Sequence, residues 1–359
     1  ASTGSEMASF GSSIIKDDVV FQYLDKWSEL SSWDNEDLPA EGDTVIIPQG
    51  QTIILDVSPP RLFLLLVRGV LVFDRKDLAL NATYIYVSGG RMEIGTEAEP
   101  FMQRAVITLH GDRYRTIELP HVGSKMLAVS DATFTTLVHG PGYAVKQHFH
   151  GILDIHGKPR KSVWTKITAD ANRGATTLVT KDEVDYMPGD RIVLTSASTN
   201  FRQTEELVVV SVAADGHTVT FTPALRHDHL AQLFTFEGET IDMRCEVGLL
   251  SRNVIIQGDD QSDSQMFGVH TIAAHGGTFR VENAELRKCG QAFNLGRYCL
   301  HFHMIGEAEQ NYFRHNSIHH SFQRATTIHG THRAHIYNNF AYFVMGHTYF
   351  VEDGAETHN

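Results

Sequence analysis

Histidine, arginine and carboxylate residues crowd the last third of this chain, in a pattern suited to holding a metal ion or moving a proton. Twelve of the 21 histidines fall within the last 109 residues. His301 and His303 stand two apart in LHFHMIG, and on a strand residues i and i+2 share a face. Joined by His329 of TIHGTH, they make the donor set of a transition-metal site, which suits Zn or another transition metal better than Ca. Arg324, His347, Glu352 and Asp353 are the catalytic candidates. Arg324 is suited to pairing with a substrate carboxylate, and Glu352 or His347 to handling the proton. Arg297, Tyr298 and His275 are the substrate-binding candidates. In a strand Glu352 and Asp353 point to opposite faces, so only one is expected to enter a shared cleft.

Something must bring these distant residues together, and the asparagines supply a register. Asn316 and Asn339 lie 23 residues apart; His329 comes thirteen residues after the first, Glu352 thirteen after the second. Asn283 opens an earlier copy, in which His303 falls into step only if about seven residues around Phe293–Cys299 are looped out. A period in the low twenties with short β-rich runs predicts a parallel solenoid, whose equivalent positions stack at about 4.8 Å. His275, His303, His329 and Glu352 or Asp353 then form a column on one face. The asparagines themselves read as a structural ladder, their side chains bonding to neighbouring backbone.

The formal charge of −13 argues against a sequence-independent grip on nucleic acid. Three cysteines make no disulfide framework; one pair is feasible, with Cys289 and Cys299 the nearer candidates. No signal peptide and no apolar run of 18 residues is present, so a membrane is expected only through segments outside this chain. Residues 1–24 read as a Ser/Gly-rich leader. The chain is expected to be one piece of a longer protein.

From Trp27 onward, short alternating strands such as TVIIP, TIILD, LFLLLV and YIYVS are punctuated by glycine and proline every eight to twelve residues. That spacing fits a β-sandwich or the start of a β-helix. Residues 164–240 read as a small β-barrel entered by Pro188-Gly189-Asp190 and containing a hairpin turned at Asp215-Gly216. Asp185 and Asp190 are expected to be turn aspartates rather than ion ligands. Asn81-Ala82-Thr83 is an N-glycosylation sequon that should lie on the surface.

The pattern Trp33, Gly42-Asp43, Ile47-Pro48, Gly50-Gln51, Leu55-Asp56 resembles a G8 domain. The segments CGQAFNLGRYCLHFHMIG, FQRATTIHGTH and GHTYFVEDGAETHN resemble the β-helical region that follows G8 in fibrocystin-L-like proteins and in the cell-migration-inducing and transmembrane hyaluronidases. The expected architecture is all-β: a G8 module over 25–163, the inserted barrel over 164–240, and right-handed parallel β-helix repeats over 241–359. The resemblance implies an extracellular or cell-surface protein whose partner is an anionic polysaccharide such as hyaluronan, or another cell-surface glycan. Three chemistries stay open. A hydrolase needs two carboxylates across the scissile bond, and a lyase needs charge neutralisation plus a base and an acid, which the His/Arg/Tyr set supplies. A rigid wall that binds glycan without cleaving it needs neither.

Overall fold

The computed structural model describes residues 24–34, 37–137 and 144–359. The leader expected over 1–24 lies almost wholly outside them.

Strands with alternating apolar residues pair in parallel, coil upon coil, because each coil can bury its inward side chains only against its neighbours. One wall is an eight-stranded sheet running from Asp25–Lys26 through Thr52–Leu55, Val70–Phe73, Arg91–Ile94, Ile152–His156, Thr278–Glu282 and Tyr312–Arg314 to His335–Tyr337. The other sheet has 13 strands and forks. The fork is the strand Leu78–Ser88. Its first half pairs with Ala105–Leu109 and its second half with Met126–Ser130. Coils before the fork contribute two strands; full coils after it contribute three. One branch continues through Val254–Gly258, Ala284–Cys289, Ser317–Ser321 and Phe340–Val344. The other continues through His270–Ala274, Leu300–Glu307, Thr326–His332 and Tyr349–Val351. The fold is therefore a parallel β-helix, and the N-terminal strands are its first coils rather than a sandwich.

The interior is a continuous apolar column from Trp27 to Ala334. Phe279, Phe302 and Phe313 are fully buried in it, with the rings of Phe302 and Phe313 stacked 4.0 Å apart. Because side chains alternate along a strand, an inward Phe302 turns His301 and His303 outward. Gly151 marks a corner where any Cβ would clash with the Ser130 carbonyl.

The asparagine ladder is present at Asn316 and Asn339, whereas Asn283 falls one residue out of step, turning the corner at φ 53° just before Ala284. Asn316 Oδ1 accepts from Ala284 N at 3.0 Å and its Nδ2 donates to Val281 O at 2.9 Å. Asn339 repeats the pattern one coil later, accepting from Asn316 N at 3.0 Å and donating to Phe313 O at 2.7 Å. Asn316 is fully buried. Asn316→Ala strips partners from buried backbone groups and is expected to cost about 1–3 kcal/mol, read as a lowered urea midpoint with an unchanged slope.

Between His156 and Val254 the chain leaves the helix. A six-stranded antiparallel sheet runs in the order Trp164–Lys166, Glu246–Leu249, Arg191–Leu194, Glu205–Val212, Thr218–Thr222, Thr177–Val179. It curls until its edges meet at the Ile167–Thr180 bridge, around a separate core that includes Ile192, Leu207, Val219, Phe221 and Val247. The strand Glu246–Leu249 lies past residue 240. Arg160 holds Asp185 and Asp190 at 3.1 and 2.8 Å, so these aspartates fasten the barrel to its entry segment. Asn81 is half-buried in mid-strand, against the surface placement expected of the sequon, and its Oδ1 lies 3.1 Å from His110 Nε2.

Candidate metal centre

The histidine site lies on the outer face of the second branch. There Ala274 pairs with His303 and His303 with His329, while Glu352 N donates to Ile328 O at 2.9 Å. The column therefore runs Ala274, His303, His329, Glu352. His275 is one residue out of step: it turns the corner at φ 49°, and its ring packs on His121 with centroids 5.9 Å apart.

Lower down the same face, Tyr84, Val122, Met126, Ala128, Ile272 and Ala274 form an apolar patch partly roofed by the segment around Leu119–Val122. The loop 290–299 shuts water away from His301. The loop contains the stretch around Phe293–Cys299 predicted to leave the coil, and a Cys289–Cys299 disulfide closes its base. Tyr298, fully buried, sets its ring edge-on to His301 at 4.8 Å. The Gly296 carbonyl lies 3.2 Å from His301 Nδ1 and accepts its N–H. That fixes the tautomer and leaves His301 Nε2 a buried lone pair without a partner.

His303 Nδ1 and His329 Nδ1 lie 3.0 Å apart. Donor nitrogens of His301, His303 and His329 all fall within 4.8 Å of one another, the one such group of three among the described residues. Burial, reinforced by the neighbouring imidazoles, lowers the pKa of both His301 and His303. Neutral rings with aimed lone pairs are what a metal ligand requires. On donor chemistry and on the unpartnered Nε2, the residues fit a transition-metal ion.

Arg324 lies 3.2 Å from Glu352 Oε2 and donates to the Tyr298 hydroxyl at 3.0 Å. Its guanidinium sits 3.6 Å over the Phe350 ring and 4.7 Å from that of Tyr298. Asp353 Oδ2 lies 3.4 Å from His329 Nε2. Both carboxylates thus reach one cluster, contrary to the opposite-face expectation, because the strand ends at Val351 and the pair occupies a bend. His347 stands behind Phe350 at 4.9 Å, its carbonyl bonded to Ala325 N. Arg297 pairs with Glu118 at 2.9 Å, and its charge also bears on His270, His301 and His303.

Two features went unread in the sequence. His270, on the same wall, is fully buried with neither ring nitrogen in a regular hydrogen bond, and burial drives its pKa well down. His148 and His150 repeat the HFH spelling of 301–303, a signal that was there to be seen. Asp131 takes both, His150 Nδ1 at 2.7 Å and His148 Nε2 at 3.0 Å.

The chain is similar in sequence to known proteins. The G8 domain model matches residues 32–168 and the CEMIP beta-helix model residues 266–359. Human fibrocystin-L is 35% identical, covering 96% of this chain and 9% of that protein. A G8 domain-containing protein of Dictyostelium discoideum is 27% identical over 93% of this chain and 22% of its own length. The chain thus spans less than a quarter of either relative. Among solved structures, the tailspike gp61 of Pseudomonas phage phi297 covers 75% of this chain and 39% of its own at 16% identity and a TM-score of 0.25.

Proposed function

Because the chain belongs to the fibrocystin-L-like proteins of the G8-domain parallel β-helix family, we propose that it is an extracellular glycan-interacting protein with a divalent transition metal held by His301, His303 and His329. The observation that carries the proposal is the convergence of three imidazoles around a buried Nε2 that nothing else satisfies. The Cys289–Cys299 disulfide supports an oxidising, extracellular setting. Among the described residues no helix is long and apolar enough to cross a membrane.

When bound, such an ion supplies Lewis acidity toward an oxygen of an anionic sugar. In the depolymerising version of this reading, hyaluronan or a similar uronate polymer lies along the column. Arg324 orients a substrate carboxylate, and Glu352 or His347 handles the proton. A non-catalytic adhesive role is favoured by one observation: Arg324 is already engaged by Glu352 and Tyr298 and pressed against Phe350. A cation so occupied stiffens a wall more readily than it captures a substrate.

Two measurements on protein purified without chelators separate these readings. Elemental analysis is expected to find one transition-metal ion per chain; none removes the metal. Incubation with sized hyaluronan is expected to shorten it, with new absorbance at about 232 nm if an acid–base pair eliminates across the ring. Retained binding with unchanged chain length selects the adhesive role.

A further inference from the structure

At the seam between barrel and solenoid, away from that site, four acid–base groups form an unbroken chain. Glu285 Oε1 lies 3.2 Å from His319 Nε2. His319 Nδ1 lies 2.8 Å from His320 Nδ1, and His320 Nε2 lies 3.2 Å from Glu206 Oε1. Glu285, His319 and His320 belong to neighbouring solenoid strands, Ala284–Cys289 and Ser317–Ser321; Glu206 belongs to the barrel strand Glu205–Val212.

Counting protons exposes what this arrangement demands. Three hydrogen bonds need three hydrogens. Glu285 cannot supply one, because it also accepts from Arg252 N at 2.9 Å and from Arg287 at 3.2 Å. Glu206 cannot, because it is ion-paired with Arg191. Both carboxylates are held ionised, so the hydrogens must come from the imidazoles, and two neutral imidazoles carry only two. One ring is an imidazolium. His319 is 1% exposed, whereas His320 meets solvent beside Tyr342 and Phe343.

We propose that the chain Glu285–His319–His320–Glu206 is a one-proton latch that fastens the inserted barrel to the solenoid. Removing the proton leaves two ring lone pairs facing each other across 2.8 Å, or no donor toward Glu206, or none toward Glu285. The other charged groups at the seam already have partners: Arg191 and Arg287 hold the two end carboxylates, Glu206 and Glu285, and Lys288 holds Asp263 and Asp260. Tyr342 stays protonated, its pKa raised by burial. The imidazole pair is therefore the titrating element, and its proton belongs to the pair. A cleft of about 310 Å³ lined by Arg191, Arg287, His319 and His320 gives water access to it.

The test begins with the wild-type chain labelled with ¹⁵N-histidine. At neutral pH one ring of the pair should show both nitrogens protonated and its neighbour one; assignment comes from His319→Gln and His320→Gln. Amide exchange at the seam should then report barrel opening that grows up to about tenfold per pH unit above the free-imidazole value of about 6.5, while the closed latch still holds its proton, and that levels off once that proton is lost, beyond intrinsic exchange. His320→Gln should abolish that slope. Two neutral rings in the wild type overturn the latch, as does a slope of equal size in His320→Gln. The ring spectrum decides even where a variant does not fold.

Discussion

His301→Ala is expected to lower the affinity for Zn²⁺ or Cu²⁺ by at least about a hundredfold, because losing merely an outer partner of a ligand costs 10–100-fold. His301 is the sharpest probe, since its Nε2 has no structural bond to lose while its Nδ1 is anchored on Gly296. Arg324→Ala, which touches Glu352 and Tyr298 but none of the three donor atoms, should leave metal affinity within a few-fold. Competition against a chromophoric chelator reads both. Equal affinity in wild type and His301→Ala would dissolve the proposed centre, whatever the activity.

Asp154→Ala is expected to destabilise the fold by about 3–5 kcal/mol, the cost of breaking a buried pair from one side. Asp154 is 2% exposed and accepts from His156 Nε2 at 2.6 Å, Arg91 at 3.0 Å and Arg280 at 3.2 Å. His156 gives its other nitrogen to Glu282 at 3.2 Å, and Glu282 also holds Arg314 at 2.9 Å. Burial opposes charge on His156, but its bonds to two carboxylates outweigh that and raise its pKa. Burial likewise opposes ionisation of Asp154 and Glu282, yet their partners lower both.

The linkage then has two arms. The His156 contribution is complete below the unfolded value of about 6.5 and fades as pH rises through the raised folded value. The carboxylate contributions are complete above their unfolded values of about 4 and fade as pH falls through the lowered ones. Stability should therefore peak in weak acid, and His156→Phe should flatten the alkaline arm. Urea midpoints across pH measure it; an unchanged alkaline arm in His156→Phe would remove His156 as its source.

Much of this was legible in the chain because a coil repeats its own spelling. Asn316 and Asn339 set the rungs, and the same thirteen-residue step that reached His329 reached Glu352. His303 needed an excursion around Phe293–Cys299, and the chain does leave the coil there, between Cys289 and Leu300, clasped by the Cys289–Cys299 disulfide. The step failed by one residue at His275, where the corner into Gly276-Gly277 arrives after Ala274 has already paired. It failed again at Glu352-Asp353, because alternation stops where a strand stops. The roof over His270 and His301 could not be read, since Val122 and Tyr298 come from segments with no shared period. Nor could the fork at Leu78–Ser88, which looks like any long strand until its two halves find different neighbours.

The barrel also bears on the order in which the molecule can assemble. Successive coils meet across a few dozen residues, but Val254 must find Ala105 across about 150, adding roughly 1.5 kcal/mol of closure entropy for a flexible tether. Once the Trp164–Lys166 and Glu246–Leu249 strands have paired, that tether is already shortened. The barrel thus serves as a splint: folded early, it hands the second run of coils to the first, and a chain with its barrel unformed would stall with two half-built columns and an open sheet end apiece.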